Sequence, residues 1–162
     1  MSRCVDKHLT GICTQSLNRQ SGKQRDAGRF FDETRQYLIV GGYAVAFHGY
    51  PRYTKDIDIF YANDEPNISR LCEALREFAF SESDLAAEQF RTPGTVVTFG
   101  VEPVRVDLLN QIDGVTFELA RRGQVFGNYG EAKVRFIGKE ELILKKTSTK
   151  RLRDKADAEE LR

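Results

Sequence analysis

The segment KDIDIFY, residues 55–61, places two carboxylates where they could hold a cation together. Side chains along a strand alternate between its faces, so Asp56 and Asp58 would share one face, with their Cα atoms roughly 7 Å apart. Two unpaired anions at that spacing repel and raise each other's pKa. Mg²⁺ would relieve the repulsion, because it prefers hard oxygen ligands and usually binds through one or two carboxylates and substrate phosphates. The alternative is a solvated strand face on which Lys55 or Arg52 pairs with one aspartate.

A third carboxylate lies in VRVDLLN, residues 104–110. Alternation puts Arg105, Asp107 and Leu109 on one face of this second strand. If the strand lies beside residues 55–61, Asp107 completes a cluster of three carboxylates able to hold two metal ions. Two-metal sites activate an attacking oxygen and stabilise a leaving one. The alternative is a surface network in which Arg105 pairs with Asp107.

Two other acidic residues compete with Asp107 for the third position. Glu102 precedes Pro103 at a strand edge, and Asp113-Gly114 is typical of a turn. Neither offers the rigid platform that a metal ligand needs. Asp107 is therefore the expected third carboxylate.

A glycine pair precedes the two aspartates. Gly41-Gly42 follows the apolar run YLIV, residues 37–40, and opens a segment typical of a short helix. A strand, a glycine pair and a helix start present backbone N–H groups and the positive end of a helix dipole to an anion. Gly42 and Asp56 lie 14 residues apart on adjacent elements. Together, a phosphate cradle and a carboxylate pair suit metal-assisted chemistry on a nucleoside triphosphate.

The elements that must position these residues form one mixed domain. Residues 1–22 lack sustained periodicity and are interpreted as a flexible N-terminal extension, so the domain covers residues 23–162. Alternation of strand and helix signals predicts an α+β or α/β fold with a mixed sheet. The predicted strands are 37–40, 55–61, three within 86–109 (AAEQFRT, TVVTFG and VRVDLLN) and 133–137; the predicted helices are 42–48, 68–78, a turn at 117–121, 139–146 and 152–161; residues 123–131 are predicted to be a glycine-rich connection.

Composition excludes several classes of protein. The net charge of +1 gives no global field for nucleic acid or membrane, and no apolar run approaches the roughly 20 residues of a membrane span. Three cysteines argue against a disulfide framework, and Cys4, His8 and Cys13 lack a second ligand pair for zinc. Cys72 falls in a helical apolar pattern and is expected in the core. A cytoplasmic protein without membrane contact is expected.

The block GGYAVAFHGYPRYTKDIDIF, residues 41–60, resembles the nucleotidyltransferase superfamily of DNA polymerase β and kanamycin nucleotidyltransferase. That pattern has a Gly-Gly or Gly-Ser pair, an Asp-x-Asp and a distant third aspartate. More narrowly, the block is similar to small bacterial nucleotidyltransferases related to abortive-infection type IV toxins. The positions that match are Gly41, Gly42, His48, Gly49, Arg52, Thr54, Asp56, Asp58 and Asp107, with Lys145, Asp154 and Asp157 in the C-terminal part.

The resemblance implies a minimal nucleotidyltransferase fold, a mixed, mostly antiparallel sheet flanked by helices. It implies Mg²⁺-dependent transfer of a nucleoside monophosphate from an NTP to an acceptor hydroxyl, with two ions held by the three aspartates. The resemblance also implies that Asp107 binds the second ion and helps to deprotonate the acceptor. Gly41, Gly42, Thr54 and Lys145 would bind the nucleotide. Many active members have serine at the position of Gly42, where a hydroxyl can reach a phosphate.

The sequence does not identify the acceptor or the partners. An RNA 3′ end is favoured over a protein hydroxyl or a small molecule, and a toxin role would add a cognate antitoxin or another protein partner. The alternative is a catalytically idle module that binds RNA or a protein. A basic cluster could follow an RNA backbone or form a solvated helix face: Lys145, Lys146, Lys150, Arg151, Arg153 and Lys155. His48 is expected to cap carbonyls rather than contact a nucleotide.

Overall fold

A six-stranded sheet forms the centre of the computed structural model, which describes residues 34–77, 85–100, 105–129 and 132–162. The strands are β1 Tyr37–Val40, β2 Asp56–Tyr61, β3 Val96–Phe99, β4 Arg105–Leu109, β5 Val125–Tyr129 and β6 Ala132–Phe136. Their order across the sheet is β3-β4-β2-β1-β6-β5. The pairs β1–β2, β3–β4 and β5–β6 are antiparallel, while β2–β4 and β1–β6 are parallel.

Helices flank this sheet, as the predicted α+β fold requires. They are α1 Gly41–Phe47, α2 Glu65–Glu77, α3 Ala87–Arg91, α4 Phe117–Arg122, α5 Lys139–Thr147 and α6 Leu152–Leu161. Aromatic contacts join helices to strands: Phe117 packs edge-on against Phe60 of β2, and Phe47 stacks on Phe136 of β6 with ring centroids 4.1 Å apart. The mixed, mostly antiparallel sheet flanked by helices is confirmed.

Apolar spacing explains most elements. Tyr37–Val40 is buried throughout, as expected for a strand at the centre of a sheet. In α2, Ile68, Leu71, Cys72 and Leu75 recur at helical spacing and are buried, which confirms Cys72 as a core residue.

Two sequence predictions are wrong. The sequence predicts a strand at residues 86–92, but Ala87–Arg91 is a short helix that buries Phe90 completely. It predicts a connection at residues 123–131, but strand β5 occupies Val125–Tyr129. A β-carbon on Gly127 would overlap the ring of Phe47 and lie 3.0 Å from Phe136. This glycine therefore makes room for an aromatic ring over a strand, and does not mark a turn.

Some predictions fall outside the described residues. These are the extension 1–22 with Cys4, His8 and Cys13, and the alternative ligand Glu102. Within the described ranges, no helix is long and apolar enough to cross a membrane.

Candidate active site

The three predicted aspartates lie on one face of two neighbouring strands. Strands β2 and β4 pair in parallel with Asp58 opposite Asp107 and Asp56 opposite Arg105. Paired residues on adjacent strands share a face and lie about 4.8 Å apart. The condition set by the sequence, that residues 104–110 lie beside residues 55–61, is therefore met.

We call the four residues Asp56, Asp58, Arg105 and Asp107 on this face of β2 and β4 the row. The glycine turn contacts the row from the side of β1. In the antiparallel pair β1–β2, Val40 lies opposite Asp58, so the turn after Val40 begins beside that carboxylate. Gly41 has φ +64°, and a β-carbon at this position would overlap the carboxylate of Asp58. Only glycine both adopts this backbone conformation at low cost and leaves room for the aspartate.

The second glycine contacts a different predicted residue. A β-carbon on Gly42 would lie 2.7 Å from Oγ1 and 2.8 Å from Cβ of Thr54. The Thr54 hydroxyl donates a long hydrogen bond of 3.3 Å to the carbonyl of Asp56. Thr54 therefore links the glycine turn to the start of β2, which places both nucleotide-binding candidates beside the aspartates.

Asp58 has an unusual electrostatic environment. Burial raises its pKa, and the neighbouring carboxylates of Asp107 and Asp56 raise it further, while the ammonium of Lys145 opposes them. Burial also lowers the pKa of Lys145. Among the described residues, no carboxylate lies within ion-pair distance of Lys145, which is therefore placed near the aspartates but not tied to one of them.

Arg105 lies between the other two aspartates. Its Nη2 donates hydrogen bonds of 2.9 Å to Oδ2 of Asp56 and of 2.9 Å to Oδ2 of Asp107. Thr98 on β3 donates a further 2.9 Å bond to the other oxygen of Asp107. The pairing of Arg105 with Asp107, considered from the sequence as an alternative to catalysis, is thus present in the same site.

The donor set fits a hard divalent cation. All three side chains are carboxylates on one face, and Oδ1 of Asp56 is buried without a hydrogen-bond partner. Such an atom is costly to leave unsatisfied. In the described part of the chain, no three Asp, Glu, His or Cys side chains lie close enough together to surround an ion. Arg105 bridges two of these carboxylates, Asp56 and Asp107.

A second group of charges holds the surrounding elements together. Lys146 of α5 is buried and pairs with Asp154 and, at 2.8 Å, with Asp157, both on α6. Arg52 donates two 2.8 Å bonds to Asp157, and Thr149 donates one to Asp154. We call these five residues the clamp. It joins the segment before β2, which carries Thr54, to α5, which carries Lys145.

The clamp corrects two sequence interpretations. Lys146 does not belong to a solvated basic face, because its side chain is only 3% exposed. Arg52 was an alternative partner for the strand aspartates, but it binds Asp157 instead. The sequence signal for this arrangement was the C-terminal match at Asp154 and Asp157, which did not specify their partners.

His48 has a structural contact. Its Nε2 lies 2.8 Å from the carbonyl oxygen of Ile137, just after β6. This agrees with the expectation that His48 binds a carbonyl, although the carbonyl belongs to another element and not to its own helix. The rival Asp113 lies in an exposed turn with Gly114 at φ +72°.

A groove of about 590 Å³ opens at the carboxyl ends of β2 and β4. Phe60, which shares a strand face with Asp58, lines it together with Phe117, Asn110 and Thr116. Its size falls within the range of small-ligand sites. The groove therefore begins at Phe60, two residues along β2 from Asp58.

Comparison with known proteins identifies a family for this chain. No curated protein sequence matches the chain. A family model described as "Nucleotidyl transferase of unknown function (DUF2204)" matches residues 25–162, which include every residue of the row and of the clamp. The chain belongs to this nucleotidyltransferase family.

Proposed function

We propose that the protein transfers a nucleoside monophosphate from an NTP to an acceptor hydroxyl and releases pyrophosphate, with Mg²⁺ as cofactor. One observation supports this most strongly. Asp58 lies opposite Asp107 across β2 and β4, and Gly41, directly after β1, packs against the Asp58 carboxylate, with Lys145 acting on Asp58. If the aspartates only kept a strand face soluble, the chain would not need a glycine at position 41 to leave room for the Asp58 carboxylate.

Different residues would bind the metal ions, accept the proton and contact the phosphates. Asp56, Asp58 and Asp107 would hold the two ions, which when bound supply charge neutralisation at the triphosphate and at the developing oxyanions. Asp107 would accept the proton of the acceptor hydroxyl, because it lies in the row yet is fixed by Thr98. Backbone N–H groups at Gly41 and Gly42 would contact phosphate oxygens.

Two further features would bind the nucleotide. Lys145 would contact the triphosphate, since no carboxylate of the described residues lies within ion-pair distance of it and a phosphate anion would offset the burial that lowers its pKa. Thr54 would orient the glycine turn through its packing on Gly42. The groove beyond Phe60 offers aromatic and amide groups of the kind that a nucleoside needs.

For the acceptor we propose an RNA 3′ end. Lys150, Arg151, Arg153 and Lys155 are exposed beside the clamp and can contact phosphates. The narrower resemblance to abortive-infection type IV toxins adds the proposal of a cytoplasmic toxin restrained by a cognate antitoxin. Expression of wild type and Asp58→Asn in cells tests this role: growth arrest by wild type only, relieved by a neighbouring gene, supports it.

The direct test is incubation with each α-labelled NTP, Mg²⁺ and total cellular RNA, cell lysate or small-molecule acceptors. Label transferred to RNA by wild type, but not by Asp58→Asn, supports the proposal. Label on protein would change the acceptor and keep the reaction. Absence of transfer with all four NTPs and every acceptor would contradict it.

One observation favours a second candidate. Arg105 compensates two of the three aspartates without a metal ion, which suits an idle module that binds RNA or a protein. Retained binding of RNA together with undetectable affinity for NTP and Mg²⁺ would support the module over the enzyme.

A further inference from the structure

Arg105 occupies the position between two of the proposed metal ligands. We propose that its guanidinium is an internal counter-cation that a divalent ion must displace, and that a nucleotide triphosphate assists by accepting the displaced side chain. This inference rests on the proposed function. It assigns Arg105 a positioning role, coupling the binding of the metal ion to the binding of the nucleotide.

The contacts show how closely Arg105 takes the place of a cation. A single atom, Nη2, lies 2.9 Å from an oxygen of Asp56 and 2.9 Å from an oxygen of Asp107. One positively charged group is therefore shared by two carboxylates on adjacent strands. A hard divalent ion in the same row would compete for those oxygens.

The strand register keeps Arg105 on the same face as the aspartates. Arg105 faces Asp56 and Asp107 faces Asp58, so the guanidinium and the carboxylates must share one face of β2 and β4. Rotation of the side chain about its own bonds can release Arg105, but no change of rotamer moves it to the other face. The residue therefore stays close to the site after it leaves the carboxylates.

Burial indicates that Arg105 can leave. Its side chain is 36% exposed, whereas Lys146 in the clamp is 3% exposed. Displacing Lys146 would open a buried charge pair, but displacing Arg105 returns a partly exposed guanidinium towards solvent. The compensation is also incomplete, because Oδ1 of Asp56 has no hydrogen-bond partner. The row thus retains an unsatisfied oxygen while Arg105 is bound.

Competition predicts coupling between two ligands. An ion alone must break both charge-assisted hydrogen bonds of Arg105 and leave the guanidinium without them. A triphosphate that arrives with the ion provides oxygens to which a planar guanidinium can bind in a bidentate manner. The metal ion and the nucleotide should therefore each raise the affinity for the other, as reciprocal linkage requires.

The experiment measures Mn²⁺ binding to the full-length protein by electron paramagnetic resonance, with and without a non-hydrolysable NTP analogue. Mn²⁺ suits carboxylate sites and is detected without any turnover. The variants are Arg105→Gln, which removes the charge, and Arg105→Lys, which keeps it. Arg91→Gln is the control, because Arg91 forms an exposed pair with Glu65 away from the row.

Without nucleotide, Arg105→Gln should bind Mn²⁺ at least about tenfold more tightly than wild type, since charge-assisted hydrogen bonds are no longer in competition. Arg105→Lys and Arg91→Gln should stay closer to wild type. The analogue should strengthen Mn²⁺ binding in wild type more than in Arg105→Gln. Melting curves without metal check that each variant folds. If Arg105→Gln does not fold, Arg105→Met takes its place, because it also removes the charge and keeps a long side chain.

Two results would overturn the inference in distinguishable ways. Equal or weaker Mn²⁺ binding by folded Arg105→Gln, while wild type binds Mn²⁺ and NTP, would refute the counter-cation and leave the proposed function intact. Absence of Mn²⁺ and NTP binding in every variant would overturn both.

Discussion

Asp58 and Asp107 face each other across two strands, but their surroundings differ. Asp58 lies against the glycine turn, and burial raises its pKa. Asp107 is held by hydrogen bonds from Thr98 and Arg105. The ionised form of Asp58 therefore costs the folded state free energy, whereas the Asp107 carboxylate is already held in one orientation by its hydrogen bonds. This difference is consistent with the roles proposed for the two residues, metal binding for Asp58 and proton transfer for Asp107, which can be tested one residue at a time.

Asp58→Asn should abolish Mg²⁺-dependent NTP binding without lowering stability. Groups that only orient metal ligands are worth about 10–100-fold in affinity, so loss of a ligand should cost at least about 100-fold. The melting temperature should stay equal or rise, because a carboxylate whose pKa is raised by burial destabilises the folded state when ionised. Isothermal titration and thermal melting measure both, with the exposed Asp113→Asn as control. Unchanged metal and nucleotide affinity would refute the assignment.

Asp107→Ala should keep NTP binding but lose transfer. Asp56 and Asp58 remain to bind the nucleotide complex, while lost acid–base assistance should lower the rate by at least about 100-fold. Glu102→Ala and Asp113→Ala, assayed beside it for binding and transfer, should behave as wild type. An active Asp107→Ala with an inactive variant at either rival would place the third carboxylate elsewhere.

At the scale of elements, the turn from β1 into α1 is the most constrained connection. Gly41 combines a positive φ with direct contact to the Asp58 carboxylate. Gly94 has φ +80° but is far less crowded, because a β-carbon there would lie 3.5 Å from the side chain of Gln111, an ordinary contact. The two positions therefore separate backbone strain from steric overlap.

Gly41→Ala should lower the free energy of unfolding by more than about 2 kcal/mol, because overlap with Asp58 adds to a left-handed backbone cost of about 1–2 kcal/mol. Gly94→Ala should show the backbone cost alone. Urea denaturation of both variants measures the difference. Equal losses would mean that Asp58 moves aside freely.

Helix α5 carries two adjacent lysines with different expected roles, Lys146 in stability and Lys145 in nucleotide binding. Lys146→Gln should cost about 3–5 kcal/mol of stability, since it leaves the carboxylates of Asp154 and Asp157 buried without that partner. Lys145→Gln should cost less than about 1 kcal/mol but weaken NTP binding about tenfold, the lower range for a charged hydrogen bond. Denaturation and nucleotide titration on both variants test this. A reversed pattern would exchange the two roles.

Sequence periodicity predicted the elements of the row well, because alternation and glycine pairs are local signals. It placed Asp56 and Asp58 on one face, and Asp107 with them if residues 104–110 paired beside this strand, a condition that the register of β2 and β4 meets. Gly127 was missed because the need for glycine comes from Phe47, which lies far away in sequence. The partners of Lys146 and the bond from Arg105 to Asp56 were missed for the same reason, since only the tertiary fold brings these distant charges together, whereas the local pairing of Arg105 with Asp107 was considered from the sequence.

At the scale of the whole molecule, the clamp connects the segment before β2 to helices α5 and α6. Burial alone would raise the pKa of Asp154 and Asp157, but hydrogen bonds from Lys146, Thr149 and Arg52 outweigh it and lower both values. A lowered folded pKa contributes stability that is present above the unfolded value and lost as the pH falls through the folded one. The clamp should therefore weaken in acid.

The free energy of unfolding should fall as the pH drops below the ordinary carboxyl value of 3.8. Asp154→Asn should be less stable at neutral pH and should show a smaller acid loss, because one linked proton is removed. Chemical denaturation of wild type and variant between about pH 6 and pH 3 measures the slopes. Identical slopes would remove Asp154 from the linkage.

The clamp also sets the order in which a working site can arise during synthesis. Arg52 and its partner Asp157 are 105 residues apart along the chain. At about 5–20 residues per second, the ribosome adds that length in roughly 5–20 s. During this interval the glycine turn and the first two aspartates exist without the helix that anchors them. A nascent chain therefore carries Asp56 and Asp58 for some time before α6 can anchor the helix that holds Lys145, and the proposed activity would be delayed until the chain has reached α6.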